Sequence, residues 1–368
     1  MQKKINTYIA SNFLLRFVQV SLGFSLLIFF INFMDVIEKI KGSEASFWVG
    51  LFMPCLQIPD FLNDIAPSLV LMSAIVTFFL LSSKSEITIV RASGFSLWQI
   101  LQPIAISAFL LGVFWITIFN SFSIQALNKF NQLENQYVKK EERLSIEPKN
   151  GIWLKQSNID KSGETIIIQA GKIYKNSLQL DEVVFWFFDK NNNFYQKIDA
   201  EEMILVNDSW HLKKITLNDQ NNINKKIDNY KIKTNLKPDF IIQKVFNNFQ
   251  NVKLFSIFDL PDLIEELQTS GFSPTKFIVY FNSLLSKPIL FVAMILIACF
   301  FGLNHTRNNY AVLMIFLGIT FGLLLYIISS IMIALSSSNL VPTFAATWVI
   351  AIICLAIGIL LIYKKENI

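Results

Sequence analysis

Apolar positions in this chain of 368 residues fall into long blocks. A helix needs about 20 apolar residues to cross roughly 30 Å of hydrocarbon. Six stretches come near or exceed that: Phe17–Met34, Ile65–Leu81, Leu97–Phe119, Phe277–Leu303, Ala311–Leu335 and Phe344–Tyr363. Between the third and fourth lies a long polar region that opens on a polar helical stretch, Ser123–Arg143. From Gly151 it becomes short runs: "GIWLK", "TIIIQAGKIY", "LDEVVFWFF", "EEMILV", "SWHLKKITL" and "NYKIKTNL". Several alternate apolar and polar residues, and Asn, Asp and Gly clusters separate them, as in antiparallel strands. In "WHLKKITL", Trp210, Leu212 and Ile215 share a face if the alternation slips once, which predicts a bulge. "SIFDLPDLIEELQTSG" returns to helical spacing, with Asp259 as N-cap, Pro261 in the first turn and Gly271 as the stop. The pattern predicts an α-helical polytopic membrane protein, six transmembrane helices in a 3+3 plan, with an inserted all-β domain. The expected domains are residues 1–119, 120–273 and 274–368, with a short helix at about 84–94 inside the first.

Composition agrees. Hydrophobic residues make up 53% of the chain and the mean hydropathy is +0.47, above what soluble domains carry. The 35 Phe, with frequent Ile, Asn and Lys, fit AT-rich coding, so the Asn/Lys clusters at Asn191–Asn193 and Asn218–Lys226 carry no functional weight. The net charge of +5 comes without a basic stripe interleaved with aromatics, which argues against nucleic acid as a partner. Cys55, Cys299 and Cys354 form no CxxC, which argues against a disulfide framework and a zinc site. The first apolar run is long and lacks a small-residue cleavage pattern, so it reads as a span, not a cleaved leader.

Lys and Arg bias in the short loops sets orientation. Lys3, Lys4, Lys84, Arg91, Arg307, Lys364 and Lys365 fall on one side, expected to be cytoplasmic. The opposite loop Ser336–Pro342 is uncharged, and Asn120–Ser273 is expected outside. No GxxxxGK[ST], GxSxG or HExxH occurs, and His211 and His305 fall on opposite sides. Asp60 and Asp64, beside Pro59 and Asn63, read as interfacial helix caps at the start of span two rather than as paired carboxylates of an intramembrane protease. No enzyme site is expected, and no cofactor on this chain.

The stretch "SKSEITIVRASGFS" between spans two and three has the marks of a helix lying on the cytoplasmic face. Ser83 or Ser85 would cap it and Gly94 would end it, while Glu86 and Arg91 suit the two ends of its dipole. Ile87, Val90 and Ala92 would face the bilayer or the spans. A positive-inside anchor explains Lys84 and Arg91; a docking helix for a soluble partner explains Glu86 and the Gly stop as well. Lys287, just before Pro288 in span four, is either a cavity-lining cation or a snorkelling one. Gly318 and Gly322 have the spacing of a close helix contact, at a subunit interface or gate.

"SKSEITIVRASGFS" also resembles the cytoplasmic coupling helix of the lipopolysaccharide export permeases, the LptF/LptG (YjgP/YjgQ) family. The pattern is an acidic residue (Glu86), apolar residues (Ile87–Val90), a basic one (Arg91), then Ala92, Ser93 and Gly94. "GIWLK", "YKIKTNLKPD", "SKPILFVAMILIACFFG" and "GITFGLLLYIISS" are similar too, so the likeness covers essentially the whole chain and is closer to the LptG component. The resemblance implies a heterodimer with an LptF-type permease, a periplasmic β-jellyroll on each, and an LptB-type ATPase dimer docked on the coupling helices. ATP and Mg would sit on that ATPase. Lipopolysaccharide would leave the inner membrane through the permeases and pass, with an LptC-type bitopic protein, to a periplasmic bridge protein. Glu86, Arg91, Ala92 and Gly94 become the expected ATPase contacts. Lys39 and Lys41 become candidates for the lipid phosphates, although Asn32 and Glu38 stand where the G-type pattern often has Lys. Anchoring lysines paired locally with Asp35 and Glu38 are the alternative for that pair. A lipoprotein-releasing or macrolide-type permease has four spans and fits poorly. A lipid-modifying membrane enzyme lacks paired catalytic residues here, and a scaffold leaves the coupling-like helix unexplained.

Overall fold

The computed structural model describes residues 2–41, 45–137, 152–157, 164–174, 179–190, 193–206, 209–219, 222–234, 251–269, 273–303 and 310–366. In chain order the elements are α1 (Gln2–Ile40), α2 (Phe47–Ser83), α3 (Glu86–Ala92), α4 (Leu97–Phe114) and, across a π-helical turn at Trp115–Phe119, α5 (Asn120–Tyr137). Strands β1 (Ile152–Ser157), β2 (Thr165–Tyr174), β3 (Gln179–Phe188), β4 (Phe194–Val206), β5 (Ser209–Asp219) and β6 (Asn222–Lys233) follow. Then come a 3-10 turn at Val252–Leu254, α6 (Leu260–Thr269), α7 (Thr275–Gly302), α8 (Tyr310–Ser337), a second π-helical turn at Ala345–Val349, and α9 (Ile350–Glu366). Two compact units result. One is Met1–Tyr137, Lys253–Pro261 and Thr275–Ile368; the other is Val138–Val252 and Asp262–Pro274.

In the helical unit, six helical segments among the described residues are long and apolar enough to cross a membrane: Lys4–Ile40, Phe47–Ser83, Leu97–Glu134, Thr275–Gly302, Phe316–Ser337 and Ala345–Glu366. The three-plus-three plan is borne out. The lengths differ from expectation. Span two was expected to start at Ile65, yet α2 is a single 37-residue helix from Phe47. At about 1.5 Å per residue it is about 55 Å long, well beyond a bilayer core. Tertiary packing keeps the first half helical: Met53 of α2 joins Val36 of α1 and Leu127 and Phe130 of α5 in a second apolar core. Pro54, Pro59 and Pro67 all lie inside the helix. Asp60 and Asp64 therefore lie in a helix interior and do not cap its start.

The main core is built on α2 and α7, with Leu69, Ile75 and Phe78 packed in one cluster with Phe291 and Ile295 and with Phe13, Leu101 and Ile104. Where α4 meets α7 a side chain is excluded: a Cβ on Gly112 would lie 2.6 Å from Pro288 Cα. Leu22, Leu26 and Phe30 of α1 and Phe316, Leu323 and Ile327 of α8 stay exposed. Apolar faces of that size call for lipid or a partner, not water.

The start of α1, the α2–α4 link and the end of α9 share one end of the unit. An apolar cavity of about 240 Å³ is bounded by Ile5 and Ile9 of α1, Leu81 of α2, Ile87 of α3 and Ile100 of α4. Glu366 accepts from the Leu97 N–H at 3.0 Å, adding a negative charge at the N-terminus of α4. Ser96 and Gln99 complete a capping box there.

In the β unit all neighbouring strands pair antiparallel, in the order β1-β2-β3-β4-β5-β6. The expected slip in the alternation of β5 is present, but not as a bulge: pairing with β4 keeps one register on both sides of Lys214. Lys214 takes a positive φ of 50°, so Trp210, Leu212 and Ile215 are all buried. The sheet curls until its first strand reaches its last: Gln156 of β1 donates to the Lys233 carbonyl at 3.1 Å. The same side chain accepts from Thr234 at 2.7 Å and from the Trp210 indole at 3.3 Å. The predicted Asp259 cap directly precedes α6. Gly271, Arg307, His305, Gly151 and most of "TNLKPD" lie outside the described residues.

Candidate functional site

Two constellations in the helical unit carry chemistry. The first is α3. Its end follows the sequence expectation: Gly94 has φ +90°, its N–H bonds the Arg91 carbonyl at 2.9 Å, and the Phe95 N–H reaches the Val90 carbonyl at 3.4 Å. That pair of bonds is a Schellman stop, which needs a left-handed residue and so favours Gly. Its start does not follow. Ser85 sits at the N-cap in a left-handed conformation without a side-chain cap, and Ser83 Oγ donates to the Leu80 carbonyl. Neither hydroxyl therefore caps the helix. Ile87 is buried and Val90 packs beside it on the main core. Ile89 stays 63% exposed, and Arg91, Ala92 and Gly94 are exposed with it. Glu86 is half-buried and lines the apolar cavity beside Tyr8.

The second constellation centres on Asn63, buried in α2, and includes Lys287. Pro67 has no N–H, so the Asn63 carbonyl four residues earlier has no helical partner. Lys287 of α7 takes it, at 3.1 Å, and also donates to Asn63 Oδ1 at 2.6 Å. The same oxygen accepts from the Trp115 indole at 3.1 Å. Asn63 Nδ2 donates to Asn120 Oδ1 at 2.8 Å, which also accepts from the Tyr280 hydroxyl at 3.3 Å. One polar layer thus ties α2, the π-helical turn, α5 and α7. π-Helical turns are frequent at functional positions. Here the turn places Trp115 and Asn120 toward the same asparagine. Lys287, read from sequence as cavity-lining or snorkelling, is instead turned onto Asn63. The signal that sequence reasoning missed is the Asn63/Pro67 spacing.

Beside this layer, Asp60 and Asp64, one turn apart on α2, share the ammonium of Lys253. Lys253 lies 2.6 Å from Asp64 and 3.4 Å from Asp60. Burial by itself would lower the Lys253 pKa; the two carboxylates outweigh it and hold the ammonium above the ordinary lysine value. Sequence reasoning named the aspartates but not this lysine, which sits about 190 residues away in the 3-10 turn Val252–Leu254.

The remaining candidates are dispersed. Lys39 pairs with Glu134 of α5 at 3.6 Å, not with Asp35 or Glu38, since the long α5 brings that carboxylate alongside. Lys41 is exposed at the end of α1. Gly318 and Gly322 pack against α2 of the same chain. A Cβ at Gly318 would overlap Ile75 Cδ1, and Ser68 Oγ donates to the Gly322 carbonyl at 3.0 Å.

A helical unit with six membrane-length helices, an ordered short helix between the second and third, and a separate β unit defines a multi-pass membrane protein. The family described as lipopolysaccharide export system permease LptF/LptG matches residues 7–364, and the chain belongs to that family. Similar curated proteins include the lipopolysaccharide export system permease protein LptG of Haemophilus influenzae, 23% identical over 82% of each chain. The protein of the same name from Escherichia coli K12 is 22% identical over 82% of this chain and 81% of its own length. The likeness is thus to the LptG component.

Proposed function

We propose that this chain is the LptG-type permease subunit of an ATP-driven exporter that moves lipopolysaccharide out of the inner membrane to a periplasmic bridge. Its termini and α3 are cytoplasmic and the β unit is periplasmic. An LptF-type permease is its membrane partner, an LptB-type ATPase dimer binds ATP and Mg, and an LptC-type bitopic protein receives the lipid. The chain itself binds no cofactor and catalyses no reaction. Lys39 and Lys41 act as point charges toward the lipid phosphates. Gly318 and Gly322 let α8 lie close on α2, which supports a role for α8 in the gate.

The observation that carries this reading is α3. It is seated on the core by Ile87 and Val90, ended by a left-handed Gly94, and presents Ile89, Arg91 and Ala92 outward. A mere anchor needs neither the stop nor the outward isoleucine. The test is co-purification of the ATPase from detergent with Arg91→Glu, Ile89→Asp and Glu86→Lys variants. Each is expected to lose ATPase while keeping wild-type membrane levels. Undiminished ATPase recovery in all three refutes α3 as the docking helix.

A further inference from the structure

The chain does something unusual on its way out of the β unit. It joins the helical unit for nine residues, Lys253–Pro261, returns to the other unit for Asp262–Pro274, and only then begins α7. This short stitch is fixed at three points. Lys253 is held between Asp60 and Asp64 of α2. Leu254 packs on the core of Val36, Met53, Leu127 and Phe130. Phe255 meets Phe277 of α7 edge-on, with centroids 5.6 Å apart. Of these, Leu254 reaches α2 through Met53, and the ion pair is the charged contact made to it.

α2 also carries the other end of the lever. It is one helix from Phe47 to Ser83, with Pro54, Pro59 and Pro67 inside it, and a two-residue turn joins it to α3. That turn is tied by the Lys84 N–H to the Leu80 carbonyl, the Ser85 N–H to Ser82 and the Ile89 N–H to Ser85. Ile87 and Val90 seat α3 on the same core. Through that turn and that shared core, α3 is linked to α2, whose break in bonding at Pro67 is bridged by Lys287 on the Asn63 carbonyl. The two aspartates, about five to six turns along α2 from Ser83, hold Lys253.

We propose that Lys253 is a positioning residue for transport: its ion pair with Asp60 and Asp64 carries the movement of α3, through α2, to the segment on which the chain returns from the β unit. This rests on the permease reading above. Two carboxylates on successive turns suit the task. As α2 slides or tilts, the ammonium keeps one partner while changing its distance to the other. An apolar contact of equal strength would not follow α2 in that way.

The experiment uses the full complex, with partner permease and ATPase, in proteoliposomes containing lipopolysaccharide. It measures ATP hydrolysed and lipopolysaccharide delivered to a soluble acceptor. Lys253→Gln is expected to leave complex yield and ATP hydrolysis near wild type and to cut lipid delivered per ATP about fivefold or more. Lys253→Arg is expected to retain the ratio. The charge exchange Lys253→Asp with Asp64→Lys is expected to recover most of it, which a purely structural role would not produce. An unchanged ratio in Lys253→Gln overturns the proposal, as does an exchange variant that assembles and hydrolyses ATP but stays as uncoupled as Lys253→Gln. A wild-type complex that hydrolyses ATP and delivers no lipopolysaccharide overturns the permease reading itself.

Discussion

Replacing Asn63 by Leu tests whether the polar layer is a network or a set of separate contacts. The substitution removes the acceptor shared by Lys287 and Trp115 and the donor to Asn120. Asn120 Oδ1 keeps its bond from Tyr280, so its loss is small. The Trp115 indole is left without its partner, at about 1–3 kcal/mol. Lys287 keeps the Asn63 carbonyl but loses its shorter bond, and a bond to a charged group is worth about 1.5–3 kcal/mol. Leucine recovers part of this by apolar burial, so the net cost falls at about 2–5 kcal/mol. Lys287→Met keeps most of the stem and removes the charge. It leaves the Asn63 carbonyl unpaired, at about 1–3 kcal/mol. In the double variant no stranded ammonium remains, so the two costs combine to less than their sum by about 1.5–3 kcal/mol. The assay is reversible denaturant unfolding of all four proteins in mixed lipid–detergent micelles, followed by helical circular dichroism. Additivity within about 0.5 kcal/mol would show that Asn63 and Lys287 do not share one network.

Two further outcomes follow from the geometry. Gly112→Ala places a Cβ 2.6 Å from backbone Pro288 Cα and is expected to cost about 1–3 kcal/mol of overpacking. Gly23→Ala, with nothing within 4 Å, is expected to be neutral; equal melting temperatures for the two refute the close α4–α7 contact. The Lys253 pair fixes a pH dependence whose sign is definite. Its folded pKa lies above the ordinary 10.5, so its contribution is full below that value and is lost as pH rises through the raised one. The stability gap between wild type and Lys253→Gln should stay constant from pH 7 to 9 and narrow only above about pH 10.5. A gap that closes between pH 7 and 9 refutes the assignment.

Much of the architecture was legible in residue pattern. Apolar block length gives six spans, alternation gives six strands, and one slipped position in "WHLKKITL" marks the left-handed Lys214, although the strand pairing keeps its register there and no bulge forms. Gly94 was readable as a helix stop because few other residues tolerate its conformation. Helix extent was not legible. Pro59, Asn63 and Asp64 look like boundary signals, and only the packing of Met53 against α1 and α5 overrides them. The polar layer was hidden for a related reason. Its members are separated by up to 224 positions between Asn63 and Lys287, and no local period links them. What was local is the proline four residues after Asn63, which frees a carbonyl and so creates demand for a donor.

The stitch at Lys253–Pro261 bears on how such a chain can be rebuilt. A β domain inserted between two helices is ordinarily a cassette with one entry and one exit, open to exchange between relatives or to excision with a linker. Here the boundary is crossed four times. A graft cut at residues 138 and 274 would remove nine residues that belong to the helical unit and leave Asp60 and Asp64 facing each other without Lys253. Chimeras that keep the host's own Lys253–Pro261 should therefore assemble where simple domain swaps fail.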